Sequence, residues 1–132
     1  MTRLAFADDP RFEVSDMEIG RGGLSYTVDT LEELAGKYAV AELVLVLGLD
    51  AVGTFARWHR PDRIRELARL AVLTRGTEKK SKLPSGATVV TARRVDVSSS
   101  EIRRRVADGK SIRGFVAEPV ERFILDAQLY TS

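Results

Sequence analysis

The chain has no cysteine. That excludes a disulfide framework and thiolate chemistry, and it fits a reducing, cytoplasmic setting. There is one histidine, His59. A zinc site built from several His and Cys ligands is therefore excluded, and a Ser-His-Asp triad would have to use that residue. There is one tryptophan, and aromatic residues make up only 7% of the chain. With no recognisable stacking pattern, a single-strand nucleic-acid platform is the weakest reading. The longest apolar run, residues 43–47, is the size of a strand and far short of a membrane span. The opening Met1-Thr2-Arg3-Leu4-Ala5 lacks a signal-peptide pattern. Repeats, low-complexity segments and single-sign tails are missing too.

What remains is ordinary globular material. A chain of 132 residues with 44% hydrophobic and 30% charged residues suits one domain, 1–132, with a real core. Net charge is only +2. The basic runs are Arg103-Arg104-Arg105, Lys79-Lys80 with Lys82, and Arg93-Arg94. Nucleic acid or a phosphate-bearing small ligand would account for the first equally well.

Periodicity supplies the elements. Residues 11–19 read as extended, with Phe12 and Val14 on one side, and 20–23 as a glycine-rich turn. Ser25 or Thr27 is expected to cap a helix that buries Val28, Leu31, Leu34, Ala35 and Tyr38. Residues 43–47 are apolar on both faces, the pattern of a central parallel strand, ending at Gly48 and followed by Asp50. A short helix through Ala51 and Phe55 follows, then one begun by Pro61 with Ile64, Leu67 and Ala68 inward. Residues 70–74 and 88–92 read as strands, with 95–97 extending or following the latter; a polar, lysine-rich loop spans 76–86. A helix after Ser98 buries Ile102 and Val106 and stops at Gly109. Glu118-Pro119 begins the last helix, which packs through Val120, Phe123 and Ile124, and Leu129 and Tyr130 dock the tail. Strands alternating with helices make this an α/β protein with a Rossmann-like open parallel sheet and flanking helices. Ligands in such sheets lie beyond the carboxyl ends of strands, where Gly48, Asp50 and Ser98 are expected.

Val97-Ser98-Ser99-Ser100-Glu101-Ile102-Arg103 carries the clearest chemistry. Ser98 and Glu101 have capping-box spacing, and a helix start has unpaired N–H groups and partial positive charge. With Arg103 one turn in, the segment is either a plain capped helix or a phosphate site.

Three motifs together resemble those of bacterial nicotinate-nucleotide adenylyltransferases. They are Ser25-Tyr26-Thr27-Val28-Asp29-Thr30-Leu31, Leu47-Gly48-Leu49-Asp50 followed by Trp58-His59, and the Val97–Arg103 segment. The tail from Phe115-Val116 through Pro119-Val120 to Leu129-Tyr130 is similar as well, so the resemblance covers nearly the whole chain. It departs in one respect. The family carries an N-terminal strand and a glycine-rich loop with paired histidines facing the ATP phosphates, and this sequence has no such pattern. Met1-Thr2-Arg3-Leu4-Ala5 resembles the interior of the family's chain. The expectation is a nucleotidyltransferase fold that is N-terminally incomplete, with slow or no turnover by this chain alone.

The resemblance implies transfer of AMP from ATP to nicotinate mononucleotide, with Mg²⁺ accompanying ATP. It assigns Arg103 to the leaving phosphates as the catalytic cation. Ser98 and Ser99 join it at ATP, with Gly48 for close backbone approach and Asp50 for ribose hydroxyls or as a helix cap. It assigns Trp58 to the pyridine ring, Thr27 and the His59 backbone N–H to the nicotinate carboxylate, and Tyr26 to the pocket wall. Read from the residues alone, Asp29 favours the helix dipole and Arg104 and Arg105 are surface cations. The same fold serves coenzyme A synthesis, against which Thr27 and Trp58 argue. The other readings are a non-catalytic pyridine-nucleotide-binding remnant and a basic nucleic-acid-binding domain. An uncovered sheet edge would favour aggregation or homo-oligomers; no membrane partner is expected.

Overall fold

Three apolar segments become strands, and their spacing dictates how they pair. In the computed structural model, which describes residues 1–74, 83–93 and 95–131, β1 (Leu43–Gly48), β2 (Ala68–Thr74) and β3 (Thr88–Thr91) form one parallel sheet in the order β1-β2-β3. Leu43 lies opposite Ala68 and Gly48 opposite Leu73; Ala71 lies opposite Thr88 and Thr74 opposite Thr91. Parallel neighbours need a crossover. From β1 to β2 it is built of α4 (Leu49–Thr54), a 3₁₀ turn at Phe55–Arg57, and α5 (Pro61–Leu67). Pro61 opens α5, where its missing N–H would be unpaired anyway. Most of the lysine-rich loop, including Lys79, Lys80 and Lys82, lies outside the described residues, as does Arg94.

The chain divides into two compact units, Asp16–Arg94 and Met1–Ser15 with Val95–Ser132. In the first, α3 (Thr27–Lys37) contributes Val28 and Leu31 to a core shared with Leu47, Val52, Phe55, Ile64, Leu70 and Val72. Val72, on the middle strand, is wholly buried; such burial of a valine is worth about 1.5–3 kcal/mol. In the second, α1 (Thr2–Ala5) lies against α7 (Glu118–Asp126), and Ile112 is clustered with Val106 of α6 (Ser99–Ala107) and with Val120 and Ile124 of α7. Gly109 follows α6 at φ +66°, the left-handed stop expected of it.

Several local expectations change. β1 is an edge strand among the described residues, not a central one. Leu43, Leu45 and Leu47 face the core, whereas Val44 and Val46 remain 53% and 56% exposed. The end of the extended segment is helical: α2 (Met17–Arg21) takes in Ile19 and Gly20. Two links to α3 account for it, Thr30 Oγ1 donating to Glu18 at 2.6 Å and Arg21 pairing with Glu33 at 2.7 Å. Ala68 opens β2 rather than closing α5, and residues 95–97 lie outside any strand. α7 buries Val120 and Ile124, one turn apart, and leaves Phe123 exposed.

Candidate active site

The start of α3 forms one wall of a cavity in the first unit. Tyr26, not Ser25 or Thr27, is the N-cap residue, and no side chain caps the helix. Thr27 is the first residue of the helix, one position inside the cap. Its hydroxyl and the first N–H groups of α3 are thus free of capping duty.

The opposite wall comes from the turn after Phe55–Arg57. Trp58 is half-buried; its indole N–H donates to Thr54 Oγ1 at 3.2 Å, and its ring lies 5.4 Å from that of Phe55, tilted by 47°. The His59 and Tyr26 rings pair at 4.3 Å and 31°. Together Ser25, Tyr26, Thr27, Arg57, Trp58, His59 and Ile64 line a cavity of about 300 Å³. Thus all four residues expected to hold the pyridine nucleotide (Thr27, Tyr26, Trp58, His59) meet around one space. Ser25 and Arg57 are additions. Arg57 directly precedes Trp58 in sequence, and that adjacency was the available signal.

This turn is held from behind. Arg60 adopts φ +51°, a left-handed conformation uncommon for a non-glycine residue, immediately before Pro61. Glu32 of α3 bridges Arg63 of α5 at 3.0 Å and Arg60 at 3.1 Å. The Glu32 carboxyl is held below its ordinary range, chiefly by the Arg63 hydrogen bond; desolvation opposes the shift and Arg60 adds to it. The clamp joins the two helices that carry the cavity walls, and it had no signature in the local sequence.

Gly48 and Asp50 lie at the carboxyl end of β1, as expected of that strand. Gly48 is the N-cap of α4 with ordinary extended backbone, and Asp50 is in the first turn. Asp50 is therefore not the cap.

In the other unit, Ser98 caps α6 as the motif implies, accepting the Glu101 N–H at 3.1 Å. The N–H groups of Ser99 and Ser100 lie before the first intrahelical bond, which Ile102 makes to the Ser98 carbonyl at 3.0 Å. Arg103 donates to Ser100 Oγ at 3.3 Å. Ser99 and Arg103 border a second cavity of about 320 Å³ whose floor is apolar, from Ile102, Val116, Val120 and Ile124. Arg105, expected at the surface, is instead structural: its Nε donates to the Ser111 carbonyl at 2.8 Å, and its guanidinium lies 4.5 Å from the centre of the Phe115 ring. Among the described residues, no group of three or more acidic or His side chains could hold a metal, and no helix is long and apolar enough to cross a membrane.

A parallel sheet with flanking helices and a cavity beside its crossover places the chain in the class of Rossmann-like α/β proteins. The comparisons refine it. The cytidylyltransferase-like family matches residues 1–105. A relative from Gemmatimonas aurantiaca, named a probable nicotinate-nucleotide adenylyltransferase, is 43% identical over 98% of this chain and 66% of its own length. One of the same name from Thermus thermophilus is 39% identical over 98% and 70%. The solved nicotinic acid mononucleotide adenylyltransferase of Plasmodium falciparum superposes with a TM-score of 0.72 at 17% identity, over 98% of this chain and 72% of that one. The chain belongs to the cytidylyltransferase-like nucleotidyltransferases and, within them, to the nicotinate-nucleotide adenylyltransferase group. It spans about two thirds of the length of these curated relatives.

Proposed function

We propose that this chain carries out, within its protein, the transfer of AMP from ATP to nicotinate mononucleotide in NAD biosynthesis. The mononucleotide's 5′-phosphate oxygen bonds to the α-phosphorus of ATP, the bond to the β-phosphate oxygen breaks, and pyrophosphate leaves with deamido-NAD as the other product. No protein nucleophile is required, so catalysis is positioning and charge stabilisation. The carrying observation is the cavity in which an indole, the start of α3 and the Tyr26–His59 pair meet.

In this reading Trp58 stacks on the pyridine ring, Thr27 and the His59 N–H receive its carboxylate, and Tyr26 closes the wall. Asp50 accepts ribose hydroxyls, and Gly48 lets the nucleotide approach the backbone. Ser98 fixes the start of α6, and the Ser99 N–H and the Arg103 guanidinium bind phosphate oxygens. Mg²⁺ enters as the ATP complex, held by phosphate oxygens, which suit this hard cation. A cytoplasmic setting belongs to the same proposal, supported by a cysteine-free chain. So does self-association through the outer face of β1, supported by exposed Val44 and Val46.

Trp58 is the sole tryptophan, so its fluorescence reports on the cavity. Nicotinate mononucleotide should quench it saturably, and the protein should release pyrophosphate when ATP and this mononucleotide are supplied together. A protein that binds no pyridine mononucleotide and forms no dinucleotide overturns the proposal.

A further inference from the structure

Arg57, like Arg93, lacks the ion pair that the other described arginines of its unit make. Arg21 pairs with Glu33, Arg60 and Arg63 with Glu32, Arg65 with Asp62, and Arg69 with Glu42. Arg57, between them in sequence, has no carboxylate partner among the described residues, yet it lines the aromatic cavity. Among the described residues, no acidic side chain lines that cavity. Its other polar features also favour negative charge: the Thr27 hydroxyl, and the start of the eleven-residue α3 with no side chain capping it. A space walled by Trp58 and, among the described residues, charged by an arginine suits a flat aromatic ring bearing an anion.

We propose that Arg57 is a specificity-determining residue that pairs with the ring carboxylate, so that the cavity prefers a pyridine acid over the corresponding amide. The inference rests on the pyridine-mononucleotide reading above. It assigns the anion to the ring because Arg57 adjoins Trp58 and shares the cavity with Thr27. The 5′-phosphate is the competing partner. An amide keeps the ring and the shape but offers no charge, so it would lose the charge-assisted bonds.

Trp58 fluorescence can be titrated with nicotinate mononucleotide, nicotinamide mononucleotide and nicotinate riboside, on the native protein, Arg57→Ala and Arg57→Lys, with melting curves to verify folding. The expected result is a loss of about tenfold or more for both nicotinate ligands in Arg57→Ala, with the nicotinamide ligand little changed and partial recovery in Arg57→Lys. Equal loss for the two mononucleotides with no loss for the riboside would assign Arg57 to the phosphate and overturn the proposal. No change for any ligand would make Arg57 a solvated cation and also overturn it. If the native protein binds none of the three, the reading of the cavity itself fails, and this inference with it.

Discussion

A Cβ placed on residue 48 would stand 2.7 Å from Asp50 Oδ1. The Gly48 backbone, at φ −78° and ψ 161°, is open to any residue. What a side chain there would meet is the carboxylate folded back over it, not the strain of a left-handed turn. The atom in the way is the far end of a rotatable side chain, so Gly48→Ala should change stability by less than about 1 kcal/mol. It should instead swing the Asp50 carboxylate aside. If that carboxylate accepts ribose hydroxyls, Gly48→Ala and Asp50→Ala should each weaken ATP binding by about tenfold. Combining them should add nothing further, because both remove the same contact. Calorimetric titration of the two single variants and the double variant measures this; full additivity would mean that the two residues act separately.

Trp58 has two attachments, and substitutions can separate them. Its indole N–H is bonded to Thr54, and its ring touches Phe55 and the edge of the core. Phenylalanine retains a stacking face and loses the hydrogen bond; alanine loses both. Trp58→Phe should therefore cost about 1 kcal/mol of stability while keeping most of the mononucleotide affinity. Trp58→Ala should weaken that affinity by about tenfold or more. Calorimetry for affinity and circular dichroism melts for stability distinguish the two. Loss of stability without loss of affinity in Trp58→Ala would make this ring core only.

How far the sequence discloses such a site depends on the range of the forces involved. Ser98 and Glu101 announce a cap because capping acts across three residues, and the bond is present. Pro61 and Gly109 announce helix ends for the same local reason. Tyr26, Thr27, Trp58 and His59 were legible as a group only through family resemblance, since no periodicity links residues some thirty positions apart. The expectation of a central β1 fails because an unbroken apolar run does not say which neighbours a strand has. In the fold Val44 and Val46 alternate outward from an edge. The helical state of Ile19 and Gly20 has no local signal because contacts with α3, twelve residues further on, hold α2 together. The clamp on Glu32 lay hidden for the same reason: Arg60 and Arg63 are remote in sequence and adjacent only after folding.

Capping by Ser98 gives a test confined to the other unit. Ser98→Ala removes the acceptor for the Glu101 N–H and should cost about 1 kcal/mol, lowering the melting temperature by about 3–5 °C. Ser98→Asp should restore the cap, because aspartate serves this position equally well. Its added negative charge beside the Ser99 N–H would still repel phosphate, so ATP affinity should stay low although stability returns. Restored ATP affinity in Ser98→Asp would mean that the start of α6 does not bind phosphate.

The Glu32 clamp should make the cavity sensitive to acid. The folded protein holds this carboxyl below its ordinary range through the Arg63 and Arg60 hydrogen bonds. A depressed carboxylate contributes stability that is fully present above its unfolded value of 4.5 and fades as pH falls through the lower folded value. Asp9, beside Arg11, and Asp108, beside Lys110, are depressed as well, so the native melting curve alone would mix three contributions. Glu32→Gln separates them. Glutamine keeps an acceptor for Arg63 but has no proton to gain, so the variant should melt slightly below the native protein at neutral pH. The gap should narrow toward pH ~3 as the native carboxylate becomes protonated. Because Arg60 orients the turn that carries Trp58 and His59, the same variant should bind nicotinate mononucleotide more weakly at neutral pH. Melting curves from pH ~7 to ~3, paired with Trp58 titrations, check both. A gap that does not vary with pH would show that the ionised clamp contributes nothing to the fold.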